Sequence, residues 1–71
     1  MSPQRAAARE DDENQRRRWS AEQNKLEAER LVEQGRAELA ARLYEANARL
    51  YRRVGDHGAA REAWRRSREL R

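Results

Sequence analysis

The stretch from residue 36 to residue 54 constrains the fold more than any other part of the chain. It contains neither proline nor glycine and is rich in alanine, leucine, arginine and glutamate, which favour helix. Its apolar residues form two sets at three- or four-residue spacing, which predicts one helix with two apolar stripes. The first stripe contains Leu39, Leu43, Ala46, Leu50 and Val54, and the second contains Ala37, Ala40, Tyr44, Ala48 and Tyr51. Two apolar sides are typical of a middle helix, so we expect neighbours on both sides.

Helix stop and start residues flank this central helix. Gly35 and Gly55 are each predicted to end the helix before them. Asp56 stands where its carboxylate can cap a third helix, predicted over residues 57–70. Ser20 and Gln23 fit a capping box, so the first folded helix is predicted over residues 21–34. Because both connections are short, neighbouring helices must be antiparallel. The predicted fold is therefore all-α, with three antiparallel helices in a stack.

The N-terminal residues differ in composition from the rest. Four consecutive carboxylates at positions 10–13 are followed by three arginines at positions 16–18, and apolar residues are few. We therefore predict a charged N-terminal arm over residues 1–18, disordered or helical, and a helical domain over residues 19–71. Trp19 opens the folded part. It either staples the arm to a helix or anchors a partner.

Several function classes find no support in the sequence. Cysteine is absent and histidine occurs once, so neither a disulfide nor a typical metal site is expected. No nucleophile–base pair or glycine-rich phosphate loop is present, so we predict no catalytic residue, no cofactor and no small-molecule substrate. No apolar run approaches the roughly 20 residues of a membrane span, and no signal segment is visible. A cytoplasmic, non-enzymatic protein is the expectation.

From residue 41 to residue 70 the chain resembles a tetratricopeptide repeat, a helix–turn–helix unit of about 34 residues. The family's large and small sites match Tyr44, Ala48, Tyr51, the turn Gly55-Asp56-His57, Ala60, Trp64, Ser67 and Leu70. Asn47 departs from the pattern, because the family usually has leucine there. The resemblance extends to about one and a half repeats, and a second frame pairs the first two helices across Gly35. It implies a stack of helical hairpins that binds a protein or peptide.

The resemblance also implies where a partner would bind. In the family the first helix of each repeat holds the ligand on its inner surface, which here would be lined by Arg42, Glu45, Arg49 and Arg52. Repeat arrays usually need about three repeats to bury a continuous core. This chain has fewer, so Trp64 and Leu70 are expected to be partly uncovered and to meet a protein partner or a second copy.

Charge is unevenly spread along the chain. The formal net charge is +4, and residues 41–71 hold nine arginines against four carboxylates, which gives +5 for that half. Such a surface attracts an acidic protein, RNA or an anionic membrane surface, although it is also typical of a merely solvated face. The predicted function is a small protein–protein interaction module or self-associating subunit. The alternative is a small basic RNA- or DNA-binding accessory protein.

Overall fold

A computed structural model describes the backbone of residues 3–71 and the side chains from Arg9 onward. It contains three helices: α1 (Pro3–Glu33), α2 (Ala37–Arg53) and α3 (His57–Glu69). Helix α2 packs against both others, whereas the backbones of α1 and α3 do not approach each other within this part of the chain. The predicted all-α stack with a central helix is therefore confirmed.

Both connections end a helix in the way the glycines predict. Gly35 and Gly55 have φ values of 76° and 80°, a left-handed conformation that favours glycine. The Asp56 N–H donates to the Tyr51 carbonyl at 2.9 Å and the Gly55 N–H donates to the Arg52 carbonyl at 3.1 Å. These two bonds form a Schellman motif, which satisfies carbonyls at the end of α2. The two turns therefore fix the antiparallel course of the chain.

Asp56 caps α3 as predicted. Its Oδ1 accepts a hydrogen bond from the Ala59 N–H at 3.1 Å. This bond satisfies one of the amides that the first helical turn leaves without a partner. Helix α3 then runs to Glu69, with Leu70 as its C-cap.

Helix α1 begins much earlier than the sequence predicts. The capping box at Ser20 is wrong, because residue 20 lies inside a continuous helix that begins at Pro3. Neither proline nor glycine occurs between Pro3 and Gly35, so nothing in the backbone favours a break there. Residues 1 and 2 of the predicted arm lie outside the described residues, and from Pro3 onward the arm is helical. The division of the chain at residue 18 stays a prediction.

Small residues dominate the core. Three helices contribute alanines that are at most 6% exposed: Ala21, Ala28, Ala40, Ala41, Ala48, Ala60 and Ala63. Tyr44 and Leu31 are the only larger apolar side chains buried to a similar degree among the described residues. Alanine lets helix backbones approach closely, but it removes little apolar surface from water per residue. The fold therefore depends on close helix packing.

The two stripes of α2 are buried unequally. In the second stripe Ala40, Tyr44 and Ala48 are buried, as the pattern predicts. The first stripe is only partly covered, and Leu39 is 39% exposed. Ala41, which belongs to neither stripe, is fully buried. The central position of α2 is thus confirmed, but its buried surface is shifted toward the second stripe.

Helix α1 extends well beyond its neighbours. At 1.5 Å per residue its 31 residues span about 46 Å, whereas the 17 residues of α2 span about 25 Å. The Asn47 side chain bonds to the Ala21 carbonyl, and Tyr51 bonds to Glu22. The C-terminal end of α2 therefore meets the middle of α1, and the N-terminal half of α1 projects past the stack. None of the helices in the described range is long and apolar enough to cross a membrane.

Candidate functional site

Trp64 lies half-buried among arginines of α3 and of the end of α2. Helix α3 presents it with Arg61 one turn before it and Arg68 one turn after it. Shallow depressions on both sides of the ring are lined by side chains of α3 and by the end of α2. We call this the Trp64 surface; it comprises Arg52, His57, Arg61, Trp64, Arg65 and Arg68.

Most of the arginines on the Trp64 surface are available to a partner. Arg65 pairs with Glu62 and with Glu69, the latter at 3.9 Å. Arg52, Arg61 and Arg68 are exposed, and no carboxylate of the described residues lies within 4.0 Å of them. A flat apolar ring is thus surrounded by three guanidinium groups whose charges are not balanced locally.

The structure divides the four residues of α2 that the resemblance singled out. Arg42 pairs with Glu38 at 3.6 Å on an exposed surface. Glu45 pairs with Arg71 at 2.7 Å, and its side chain is only 19% exposed. Arg49 and Arg52 are exposed, and Arg52 lies beside the same surface depression as Trp64. Arg52 and Trp64 therefore belong to one surface, while Glu45 is paired with Arg71.

The two remaining predicted contact residues lie elsewhere. Leu70 packs against the buried apolar cluster that contains Leu31 and Tyr44, so it is half-buried in the core. Trp19 is 65% exposed on α1, beside Asp12, Gln15 and Arg16 of its own helix. An exposed ring of this kind does not staple the arm to α2. The anchor interpretation of Trp19 stays a prediction.

A groove lies between α1 and α3, with α2 as its floor. Its volume is about 180 Å³. We call it the Asn47 groove; it is lined by Lys25, Glu29, Tyr44, Asn47, Tyr51, Ala59, Glu62, Ala63 and Arg66. Its floor is formed by the two tyrosine rings and the Asn47 amide. The α1 wall carries Lys25 and Glu29, and the α3 wall carries Glu62 and Arg66. The formal charges of those four wall residues sum to zero.

Asn47 at the floor of this groove is 1% exposed. Its Nδ2 donates to the Ala21 carbonyl at 2.9 Å, which fixes the orientation of the amide because only nitrogen can donate there. Its Oδ1 is buried and has no hydrogen-bond donor among the residues that the structure describes. A buried amide oxygen without a donor costs about 1–3 kcal/mol, so this atom calls for an explanation.

Three further contacts involve side chains of the groove. The Arg66 guanidinium lies over the Tyr44 ring, 5.6 Å from its centroid, and donates to Glu69 at 2.9 Å. The Tyr51 hydroxyl donates to Glu22 at 3.4 Å. Burial, and next the nearby charge of Glu22, raise the pKa of Tyr51 above its usual value of 10.0. Tyr51 therefore stays a neutral donor at physiological pH.

Sequence reasoning did not place Asn47 in a site. The only signal was a departure, since Asn47 interrupts a run of apolar positions where the resembled family has leucine. A polar residue on a buried helix face indicates a local hydrogen-bond partner. The partner could not be named, because the Ala21 carbonyl is 26 residues away in the chain.

The fold and its surfaces define a small all-α protein with an arginine-rich tryptophan surface and a separate polar-floored groove. Comparisons with protein-family models, with curated proteins and with solved structures find no significant match to this chain. The tetratricopeptide-repeat resemblance therefore stays a prediction. No group of three or more metal-ligating side chains comes together in the described part of the chain.

Proposed function

We propose that this chain is a small non-catalytic interaction module that binds an acidic segment of a protein partner on the Trp64 surface. One observation carries the proposal: a half-buried indole is surrounded by three arginines that lack a carboxylate partner among the described residues. Tryptophan and arginine are the residues most enriched at energetically dominant contact positions. Arginine also pairs with carboxylates through two parallel hydrogen bonds.

An acidic protein segment suits this surface better than a nucleic acid. Glu62 and Glu69 lie close to the arginines of α3 and already pair with Arg65. The separate carboxylates of a peptide can pair with the unpaired arginines alone. The closely spaced phosphates of a nucleic acid would also lie against Glu62 and Glu69, which repel them. The expected location is cytoplasmic, as the sequence predicts.

The proposal is tested by titrating the full chain with two capped peptides. One alternates Glu and Leu, and its control alternates Gln and Leu. Fluorescence of a Trp19→Phe variant reports Trp64 alone, because the chain has two tryptophans. Only the Glu peptide is expected to bind. Truncation of a tryptophan at the centre of an interface costs about 2 kcal/mol or more. Trp64→Ala is therefore expected to weaken binding about thirtyfold, as measured by calorimetry.

Charge-reversal variants test the site without altering the packing of Trp64. Arg61→Glu removes an exposed guanidinium from the surface, and Arg30→Glu makes the same change in charge on exposed α1. Arg61→Glu is expected to weaken binding about tenfold and Arg30→Glu less than about twofold. Equal effects would refute a local site. Tighter binding of a single-stranded oligonucleotide, with a steep loss of affinity in salt, would support the nucleic-acid alternative instead.

A further inference from the structure

We propose that the side of α1 that points away from α2 pairs, antiparallel, with the same side of a second copy of this chain. We call this side the outer face of α1; along it lie Asp12, Arg16, Trp19, Leu26, Arg30 and Glu33. The inference goes beyond the proposed function, because none of these residues belongs to the Trp64 surface.

The outer face carries the two most exposed large apolar side chains of the described residues. Trp19 is 65% exposed and Leu26 is 50% exposed. At 100° per residue they lie about 20° apart around α1, and about 160° and 140° from Ala21, which faces α2. Helix α3 packs against α2 and not against the backbone of α1, so no element of the described chain covers this face.

The outer face also contains a depression of the kind into which a side chain of another helix packs. Asp12, Gln15, Arg16 and Trp19 line it, and all four are exposed. Their spacing is i, i+3, i+4 and i+7, which is the spacing of the four residues that form a hole in knobs-into-holes packing. The depression is therefore open to a side chain of a second helix.

Leu26 of a second copy matches this hole. If the second helix runs antiparallel with its Leu26 set against Arg16, then Trp19 is set against Gln23 of the second copy. Gln23 lies in another hole of the same spacing, formed with Trp19, Glu22 and Leu26. Both large apolar side chains thus enter holes in a single register. A twofold axis repeats these contacts, because the pairing is between identical faces.

Charge favours this register. It sets Asp12 against Arg30 of the second copy and Arg9 against its Glu33. These four side chains are exposed, and none has an ion-pair partner within 4.0 Å among the described residues. A parallel pair would set each of them against itself, which brings like charges together at all four positions. An antiparallel pair shifted by three residues, with Trp19 against Leu26, would set Asp12 against Glu33.

The association is expected to be weak. Positions 9 to 33 all lie in α1, so the contact extends over about 36 Å, but much of it is polar. A tryptophan buries about 150–250 Å², whereas a stable interface buries about 1,200 Å² or more in total. One like-charge approach remains at the rim, between Glu13 and Glu27 of the second copy, and Glu13 already pairs with Arg17 at 3.6 Å. We therefore expect a dissociation constant in the micromolar range.

Charge exchange tests the antiparallel register, with sedimentation equilibrium of the full chain as the measurement. Asp12→Arg and Arg30→Asp each create two like-charge contacts and are expected to weaken association about tenfold. The double variant restores opposite charges and is expected to return to within about twofold of the wild type. Asp11→Arg is the matched control, since it makes the same change of charge about 100° away around the helix. Single variants that associate like the wild type, or a double variant that does not recover, would overturn the proposal.

Apolar truncations test the location of the contact. Trp19→Ala is expected to weaken association at least tenfold and Leu26→Ala about fivefold, whereas Leu39→Ala on exposed α2 and Trp64→Ala are expected to change it less than twofold. In a Trp64→Phe background, the Trp19 emission is expected to shift to the blue as concentration rises. A wild type that stays monomeric at about 1 mM would overturn the proposal. So would a loss of association in Trp64→Ala alone, which would assign the contact to the Trp64 surface.

Discussion

Replacing Asn47 with leucine is expected to stabilise the fold, although it removes a hydrogen bond. Asn47 is 1% exposed, and its Oδ1 has no donor in the described part of the chain. Removal of that unpaired oxygen is worth about 1–3 kcal/mol. Burial of the added apolar atoms contributes further, because the adjoining groove has room for them.

The lost hydrogen bond of the Asn47 Nδ2 partly offsets this gain in stability. The Nδ2 bond to the Ala21 carbonyl, at 2.9 Å, is worth about 1 kcal/mol. That carbonyl lies inside α1, so it keeps its own helical hydrogen bond after the substitution. The net expectation is a variant that is about 2 kcal/mol more stable. For a domain of this size the midpoint of thermal unfolding would rise by roughly 10 °C.

Urea unfolding followed by far-ultraviolet circular dichroism measures this difference. The comparison is made at low protein concentration, so that self-association does not contribute to stability. Asn47→Asp is the control, since it keeps the shape but buries a carboxylate beside the Ala21 carbonyl. It is expected to destabilise the fold by about 3 kcal/mol. If Asn47→Leu is less stable than the parent by 1 kcal/mol or more, the Oδ1 atom is not a net cost and the reasoning fails.

Two further predictions concern the ends of α2 and α3. Asp56→Ala removes the acceptor for the Ala59 N–H and is expected to lower the free energy of unfolding by about 1 kcal/mol, measured by thermal unfolding. Asp56→Ser can still accept this bond, so it is expected to retain most of the stability. Equal losses in the two variants would contradict a capping role. The pKa of Tyr51 is raised by burial and then by the charge of Glu22. In a Tyr44→Phe variant, which leaves Tyr51 as the one tyrosine, the phenolate absorbance is expected to titrate above 10.0. Adding Glu22→Gln is expected to bring the titration closer to 10.0. Because the folded pKa is the higher one, the stability linked to Tyr51 is complete below pH 10 and is lost as the pH rises through the folded pKa; a titration midpoint at or below 10.0 would exclude this linkage.

The sequence by itself determined α2, α3 and the turns that join the three helices. Gly35, Gly55 and Asp56 act through bonds to residues at most five positions away, so their effects follow from local backbone geometry. The periodicity of residues 36–54 likewise predicted α2 to within one residue at each end. The middle position of this helix followed from its two apolar stripes.

The false helix start at Ser20 shows where local signals fail. A capping box favours an N-terminus only if the preceding residues leave the helix, and nothing between Pro3 and Ser20 disfavours helix. The pattern therefore matched a sequence that occurs inside a longer helix.

Only the tertiary structure decided which distant residues share a surface. It joined Arg52 of α2 to Trp64 of α3, engaged Glu45 with Arg71, and left Trp19 exposed. It also set Asn47 against Ala21 and left one amide oxygen without a donor among the described residues. These outcomes depend on how closely the alanine-lined helices approach and at what rotation. Residues far apart in the chain set both, so no local pattern carries that information.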